Sequence, residues 1–138
     1  VFLENGNETE SVEVMHYIWN HSWPQNKTPQ IGSFTLNDKT AYDSVTTHPG
    51  NQLHAVLKMD DIDNDPINYT WEVLPESTDL KDGGDKEERP ENIDIIETTN
   101  QNGVLKFKAP VPGQYRLFVY ADDGFGHSAT ANIPFMVK

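Results

Sequence analysis

An all-β antiparallel sandwich is the fold that this chain predicts, and three observations predict it. The first is strict two-residue alternation. Tyr115, Leu117, Val119 and Ala121 interleave with Arg116, Phe118 and Tyr120, and Ala129, Ala131, Ile133, Phe135 and Val137 recur along the final run. Successive side chains of a strand point to opposite sides of a sheet, so such runs describe strands with one buried face. The second is punctuation: Asp-, Pro- and Gly-rich clusters separate the runs at intervals of about a dozen residues. The third is a pair of aromatic landmarks. Trp71 falls mid-strand in the third long run, and Tyr115 follows Pro112-Gly113 at the mouth of the penultimate one. An immunoglobulin-like sandwich of about seven strands buries a tryptophan at the first place and ties a tyrosine hydroxyl back to the chain at the second.

The elements follow in order. Val12, Met15, Ile18 and Trp19 recur at three- and four-residue spacing and predict a short N-terminal helix. Thr9, or Asn7 with Glu10, would cap its start. Val12 and Val14 also alternate, which leaves a strand as the other reading. Trp23-Pro24-Gln25-Asn26-Lys27-Thr28-Pro29 sets two prolines among polar residues and reads as a linker. Residues 1–29 are therefore expected to be a junction segment or the end of an upstream domain, and residues 30–138 the sandwich. A chain that starts at Val1 without Met reads as a fragment or a processed product.

The sandwich opens with a strand over Ile31 to Leu36, ended by the Asn37-Asp38 turn and completed by a short piece near Tyr42 to Val45. Leu53, Ala55, Leu57 and Met59 make the second long strand, and Ile67, Tyr69, Trp71 and Val73 the third, with an acidic turn between them. Residues 75–92 hold Pro75, Gly83, Gly84 and Pro90 among many charges and read as a long loop. A short edge strand is expected over Ile93 to Ile96 and another strand over Val104 to Phe107. Strands over 114–121 and 127–137 finish the chain. Asp122-Asp123-Gly124-Phe125-Gly126 supplies the glycine that a hairpin turn needs.

Composition narrows the function. The chain has 138 residues, enough for one domain with a real core. Its net charge of −12 argues against a nucleic-acid backbone and against an anionic membrane surface, both of which select for Lys and Arg. That charge suits divalent cations or neutral sugars, or serves solubility alone. With no cysteine, thiolate catalysis, zinc–thiolate sites and disulfides are excluded. No stretch approaches the roughly 20 apolar residues of a membrane span.

Two motifs invite chemistry. Asp60-Asp61-Ile62-Asp63-Asn64-Asp65-Pro66 clusters carboxylates on a turn, and Asp122-Asp123-Gly124 lies on the loop before the final strand. In an immunoglobulin topology these loops share one end of the sandwich, so Asp61, Asp63, Asp65 and Asp122 are candidates to converge on one calcium ion. The spacing does not complete an EF-hand, and the alternative is that these aspartates build side-chain-to-backbone turns. The loop from Glu76 to Glu91 is rich in carboxylates, yet a glycine-split polar loop offers no rigid cleft for glycosidase-type acid/base work. His16, His21, His48, His54 and His127 make no helical zinc pair, and neither a Gly-x-Ser-x-Gly elbow nor a phosphate-cradling loop is present. No cofactor is implied beyond the calcium candidate. Trp19, Trp23, Phe118, Tyr120 and Phe125, with Tyr42, are candidate ring platforms for the C–H faces of a glycan, or contacts for a neighbouring domain.

Here a resemblance enters. Asp63-Asn64-Asp65-Pro66-Ile67-Asn68-Tyr69-Thr70-Trp71-Glu72-Val73 resembles the Asp-x-Asp-x-Leu-x-Tyr-x-Trp signature of PKD-like and cadherin-like modules. Many PKD-like modules carry glycine where Asn64 stands, and Asn tolerates the left-handed backbone such a turn requires. Further segments are similar to the C-terminal Ig-like accessory domain of certain secreted bacterial glycoside hydrolases. They are Glu76-Ser77-Thr78, Gly83-Gly84-Asp85, Ala109-Pro110, Gly113 to Tyr120, Asp123 to His127 and Ala129 to Phe135, while Tyr17-Ile18-Trp19 with Trp23 to Pro29 is similar to the junction leading into that domain. The resemblance implies a non-catalytic module that packs against or positions an upstream catalytic domain of the same polypeptide. It also implies a secreted, periplasmic or cell-surface location in a bacterium. A carbohydrate-binding module that contacts polysaccharide is the first alternative, and a calcium-stiffened adhesion or spacer domain the second.

Overall fold

The structure is a computed structural model that describes residues 2–77, 89–95 and 97–138. Among the described residues, one helix, α1 (Glu10–Asn20), precedes eight strands: β1 (Gln30–Leu36), β2 (Val45–Thr47), β3 (Gln52–Asp60), β4 (Asn68–Pro75), β5 (Glu97–Gln101), β6 (Val104–Lys108), β7 (Gly113–Asp122) and β8 (Ser128–Val137). They form two four-stranded sheets with orders β1-β3-β6-β5 and β2-β8-β7-β4. Every pairing is antiparallel except β2 with β8, which is parallel. That arrangement is the immunoglobulin topology, with β2 as an extra strand on the second sheet.

The extra strand comes from splitting the first. Asn37 and Asp38 both adopt positive φ, 50° and 61°, and the chain doubles back through reciprocal bonds between Leu36 and Lys39. The path then crosses to the other sheet, where Val45–Thr47 lies beside Phe135–Val137. Splitting the strand gives both sheets an edge at the start of the fold.

The period-two stripes meet between the sheets. Leu53, Ala55 and Leu57 of β3 and Leu105 and Phe107 of β6 face Val73 of β4, Leu117 and Val119 of β7 and Ile133 of β8, all buried. Trp71 is 7% exposed and packs beside Phe34 with ring centroids 6.0 Å apart. Tyr115 stacks on Phe135 at 5.5 Å, and its hydroxyl donates to the Val111 carbonyl at 2.9 Å. This is the expected tyrosine corner. It fixes the Pro112-Gly113 entry to β7, where a Cβ on Gly113 would lie 3.0 Å from that same hydroxyl.

The edge strand differs from expectation. Residues 93–95 form no strand; instead Ile93 N–H donates to the Val73 carbonyl at 3.0 Å, and the Asn92 side chain accepts from Val73 N–H at 2.9 Å. Strand β5 starts at Glu97. Its position is set by Asn102-Gly103, with φ of 49° and 76°, a two-residue hairpin turn that places Gln101 opposite Val104. Gly103 is required twice over, because a Cβ there would lie 2.5 Å from the Leu57 carbonyl oxygen. The Asn-Gly pair was the readable signal. Ile96 and the stretch 78–88, with Gly83-Gly84-Asp85 and most of the expected long loop, lie outside the described residues.

Residues 2–29 join the sandwich near Glu4, around Glu8 and around Asn26–Lys27. Glu8 pairs with His127: its N–H donates to the Gly126 carbonyl at 2.7 Å, and its carbonyl accepts from Ser128 N–H at 2.8 Å. At the other end Asn26 Nδ2 donates to Asp65 at 2.5 Å and Lys27 N–H to Asp63 at 2.7 Å. The helix expected around Val12–Trp19 is present, with Thr9 at its N-cap and His21 closing it in the left-handed conformation. No helix among the described residues is long and apolar enough to cross a membrane.

Candidate functional site

The acidic turns come first. Asp61 Oδ1 accepts the backbone N–H groups of Asp63 and Asp65, each at 3.0 Å, and Asn64 takes the left-handed φ of 60° between them. Asp122 Oδ1 accepts from Gly124 N–H at 2.8 Å, while its Oδ2 accepts from Ser128 Oγ at 3.0 Å and from the Asn7 amide. Asp123, 1% exposed, accepts from Phe125 and His127 N–H and faces His127 Nδ1 at 2.8 Å. Each of the four calcium candidates thus already has an oxygen engaged by an N–H or O–H of this chain. Among the described residues, no three or more His, Cys, Asp or Glu side chains group so as to hold a metal ion. Three buried oxygens near the 26–28 and 61–65 segments have no hydrogen-bond partner: Asn26 Oδ1, Thr28 Oγ1 and Asp61 Oδ2. Only one belongs to a charged group, whereas calcium takes about six to eight oxygens with several carboxylates among them.

The ring candidates divide into separate surfaces. Trp19 and Trp23 belong to the helix side. Of the apolar positions at helical spacing, Val12 and Met15 are half-buried while Ile18 and Trp19 are exposed, Trp19 at 74%; α1 also buries Glu13 at 6% exposure and exposes Val14 and Tyr17. Glu13 Oε1 accepts the N–H of Thr28, which ties that side of the helix to the chain that leads into β1. Trp23 folds against Tyr17, with ring centroids 4.6 Å apart and nearly parallel, and Lys27 Nζ lies 5.3 Å from the Trp23 centroid. Phe125 protrudes from the β7–β8 turn, and Tyr42 from the β1–β2 connection.

Phe118 and Tyr120 come together on the outer face of the second sheet. The register pairs Tyr120 with Thr70 and Phe118 with Glu72, so rings and polar groups lie side by side across β7 and β4. The N-terminal residues Phe2 to Asn5 and Arg89 complete a groove of about 600 Å³ over this floor. Arg89 Nη2 donates to Glu72 Oε2 at 2.5 Å and to the Tyr120 hydroxyl at 3.3 Å, and its Nη1 reaches Glu4 at 3.5 Å. The Tyr120 hydroxyl donates in turn to Glu72 Oε2 at 3.0 Å. Burial, then the bond to Glu72 and that carboxylate's charge, hold the Tyr120 hydroxyl above the ordinary tyrosine pKa, against a smaller pull from Arg89. Burial works against the Arg89 guanidinium, but Glu72, Tyr120 and Glu4 together raise its pKa.

Sequence reading found the two rings but missed Glu72, Arg89, Asn68, Thr70 and the N-terminal wall. Asn68, Thr70 and Glu72 were readable, since they are the outward positions of the Tyr69–Trp71–Val73 alternation. Arg89 and residues 2–5 reach the groove through tertiary contacts alone. Set against known proteins, the chain matches no family model and no curated relative.

Proposed function

We propose that this chain is a non-catalytic accessory module of a secreted or periplasmic bacterial glycoside hydrolase, and that it packs against the catalytic domain of the same polypeptide through α1. One observation carries the reading. An eleven-residue helix that turns a glutamate inward exposes Val14, Tyr17 and Ile18 at three- and four-residue spacing, with Trp23 stacked on Tyr17 and Trp19 exposed on the adjoining side. Water is a poor partner for such a face, and its burial contributes about 25 cal/mol per Å² of apolar area. The resemblance to accessory domains of glycoside hydrolases names the partner that would cover it. The sandwich then serves as a rigid spacer, its two sheets holding the helix in one orientation.

The test compares this chain with the parent polypeptide. In a Trp23→Phe background, collisional quenching of tryptophan fluorescence reads Trp19, because Trp71 is shielded in the core. The expected result is that the Trp19 contribution is strongly quenched in the isolated chain and protected in the parent, and that Trp19→Ser with Ile18→Ser loosens the module from the catalytic domain. Equal quenching of Trp19 in both would overturn the docking role.

A further inference from the structure

The outer-face groove has a composition that selects its ligand by elimination. Three of its lining groups are carboxylates, Glu4, Glu72 and Asp122, against one lining cation, Arg89, in a chain of net charge −12. An anionic ligand would meet net repulsion there. A cationic ligand would find each carboxylate already engaged: Glu72 by Arg89 at 2.5 Å and by the Tyr120 hydroxyl at 3.0 Å, Glu4 by Arg89 at 3.5 Å, and Asp122 by Ser128 Oγ and the Asn7 amide. A wholly apolar ligand would take the Arg89–Glu72 pair out of water and return no polar partner, which is costly. The ligand class left is neutral, with one apolar face and several hydroxyls. The groove's volume falls within the range of about 300–1,000 Å³ common to small-ligand sites.

We propose that this groove binds a neutral oligosaccharide, with the C–H face of a pyranose unit against Phe118 and Tyr120 and its hydroxyls exchanging hydrogen bonds with Glu72, Arg89 and Asn68. A sugar hydroxyl both donates and accepts, so neighbouring hydroxyls of one ring satisfy a carboxylate and a guanidinium together. The Arg89–Glu72–Tyr120 contacts hold these groups in place before the ligand arrives, which lowers the ordering cost of binding. The Phe2–Asn5 wall is anchored a few residues on, where Asn7 Nδ2 donates to Ser128 Oγ at 2.8 Å and Glu8 pairs with the β7–β8 turn. The site is distinct from the exposed face of α1 and goes beyond the docking role: it would bind glycan whether or not the helix is covered.

The experiment titrates the chain, by calorimetry and by amide chemical-shift mapping, with a panel of neutral gluco-, manno-, xylo- and galacto-configured hexaoses. At least one is expected to bind saturably, with shifts centred on Thr70, Glu72, Phe118 and Tyr120 and little dependence on salt. Phe118→Ala and Glu72→Gln are each expected to weaken it by roughly tenfold or more, whereas Trp19→Ser leaves the affinity unchanged. Should Phe118→Ala fail to fold, Glu72→Gln and the shift map decide. The proposal is overturned if no hexaose binds, if shifts lie away from the groove, if Glu72→Gln binds like the wild type, or if Trp19→Ser alone abolishes binding. Saturation of the groove by free arginine with equal affinity would also overturn it, by making the site a cation pocket.

Discussion

The two faces of β7 share one backbone and one set of ladder bonds, yet they work by different rules. The inner face, Tyr115, Leu117, Val119 and Ala121, is sealed between the sheets, and most of its residues act by volume. The outer face, Arg116, Phe118, Tyr120 and Asp122, is half-buried, and three of its four members act through named partners: Arg116 with Glu76 and Asn132, Tyr120 with Glu72 and Arg89, Asp122 with Asn7 and Ser128. Apolar packing is non-directional, so the inner face tolerates exchange among residues of similar size. Hydrogen bonds and ion pairs depend on geometry, so the outer face makes a defined groove rather than a wetted surface.

Neighbouring substitutions give the largest test of that contrast. Leu117→Ala should destabilise the fold by about 2–5 kcal/mol, because a fully buried leucine leaves a cavity. Phe118→Ala removes a larger side chain one residue on, yet should cost clearly less, since that ring is only partly buried. Chemical denaturation of both variants checks this; equal losses would mean that the outer face is part of the core. A smaller effect sharpens the exception on the inner face. Tyr115→Phe keeps the ring on Phe135 but deletes the bond to the Val111 carbonyl, and should cost about 1 kcal/mol, visible as a lowered thermal midpoint.

The outer face should also show itself at high pH. Tyr120 on this face, and Tyr69 on the core side of β4, both have hydroxyl pKa values raised, in each case chiefly by burial. A raised value means that the folded state favours the neutral phenol. Their stabilising contribution is therefore complete below the unfolded value of about 10 and is lost as pH rises through the folded one. In an ultraviolet titration of phenolate, Tyr120→Phe should delete a component that ionises above the ordinary tyrosine range. Deletion of a component at the ordinary value would show that Glu72 and burial do not act on this hydroxyl. The smallest expected effect is none: millimolar calcium or a chelator should leave the thermal midpoint unchanged, because Asp61 and Asp122 already serve their turns and Asp63 and Asp65 already hold Lys27 and Asn26. A rise with calcium would place a ligand at the acidic turns and give those carboxylates a role beyond local geometry.

Much of the inner half was legible. Period-two alternation located β3, β4, β7 and β8 to within a residue or two, and the tyrosine corner followed from Pro112-Gly113-Tyr115. The edge strand was misplaced because Ile93 and Ile95 look like strand residues, while the turn that sets the register, Asn102-Gly103, lies further on. Half of the candidate groove was legible as the outward positions of two strands. Arg89 was not, because a charge next to a polar loop carries no sign of where the loop returns. Helix α1 was legible as a helix but not in its seating: of its periodic apolar positions Val12 and Met15 are half-buried and Ile18 and Trp19 exposed, and Glu13 faces inward to bond Thr28.

By itself the sequence determined which segments are strands, which of their faces are apolar and where the turns fall, since these follow from local sterics and a two-residue period. Only the tertiary structure decided that Arg89 and the N-terminal residues close a groove over β4 and β7, and that α1 turns Glu13 inward and leaves Tyr17, Ile18 and Trp19 exposed. Both depend on contacts between residues far apart in the chain, and such contacts leave no period along it.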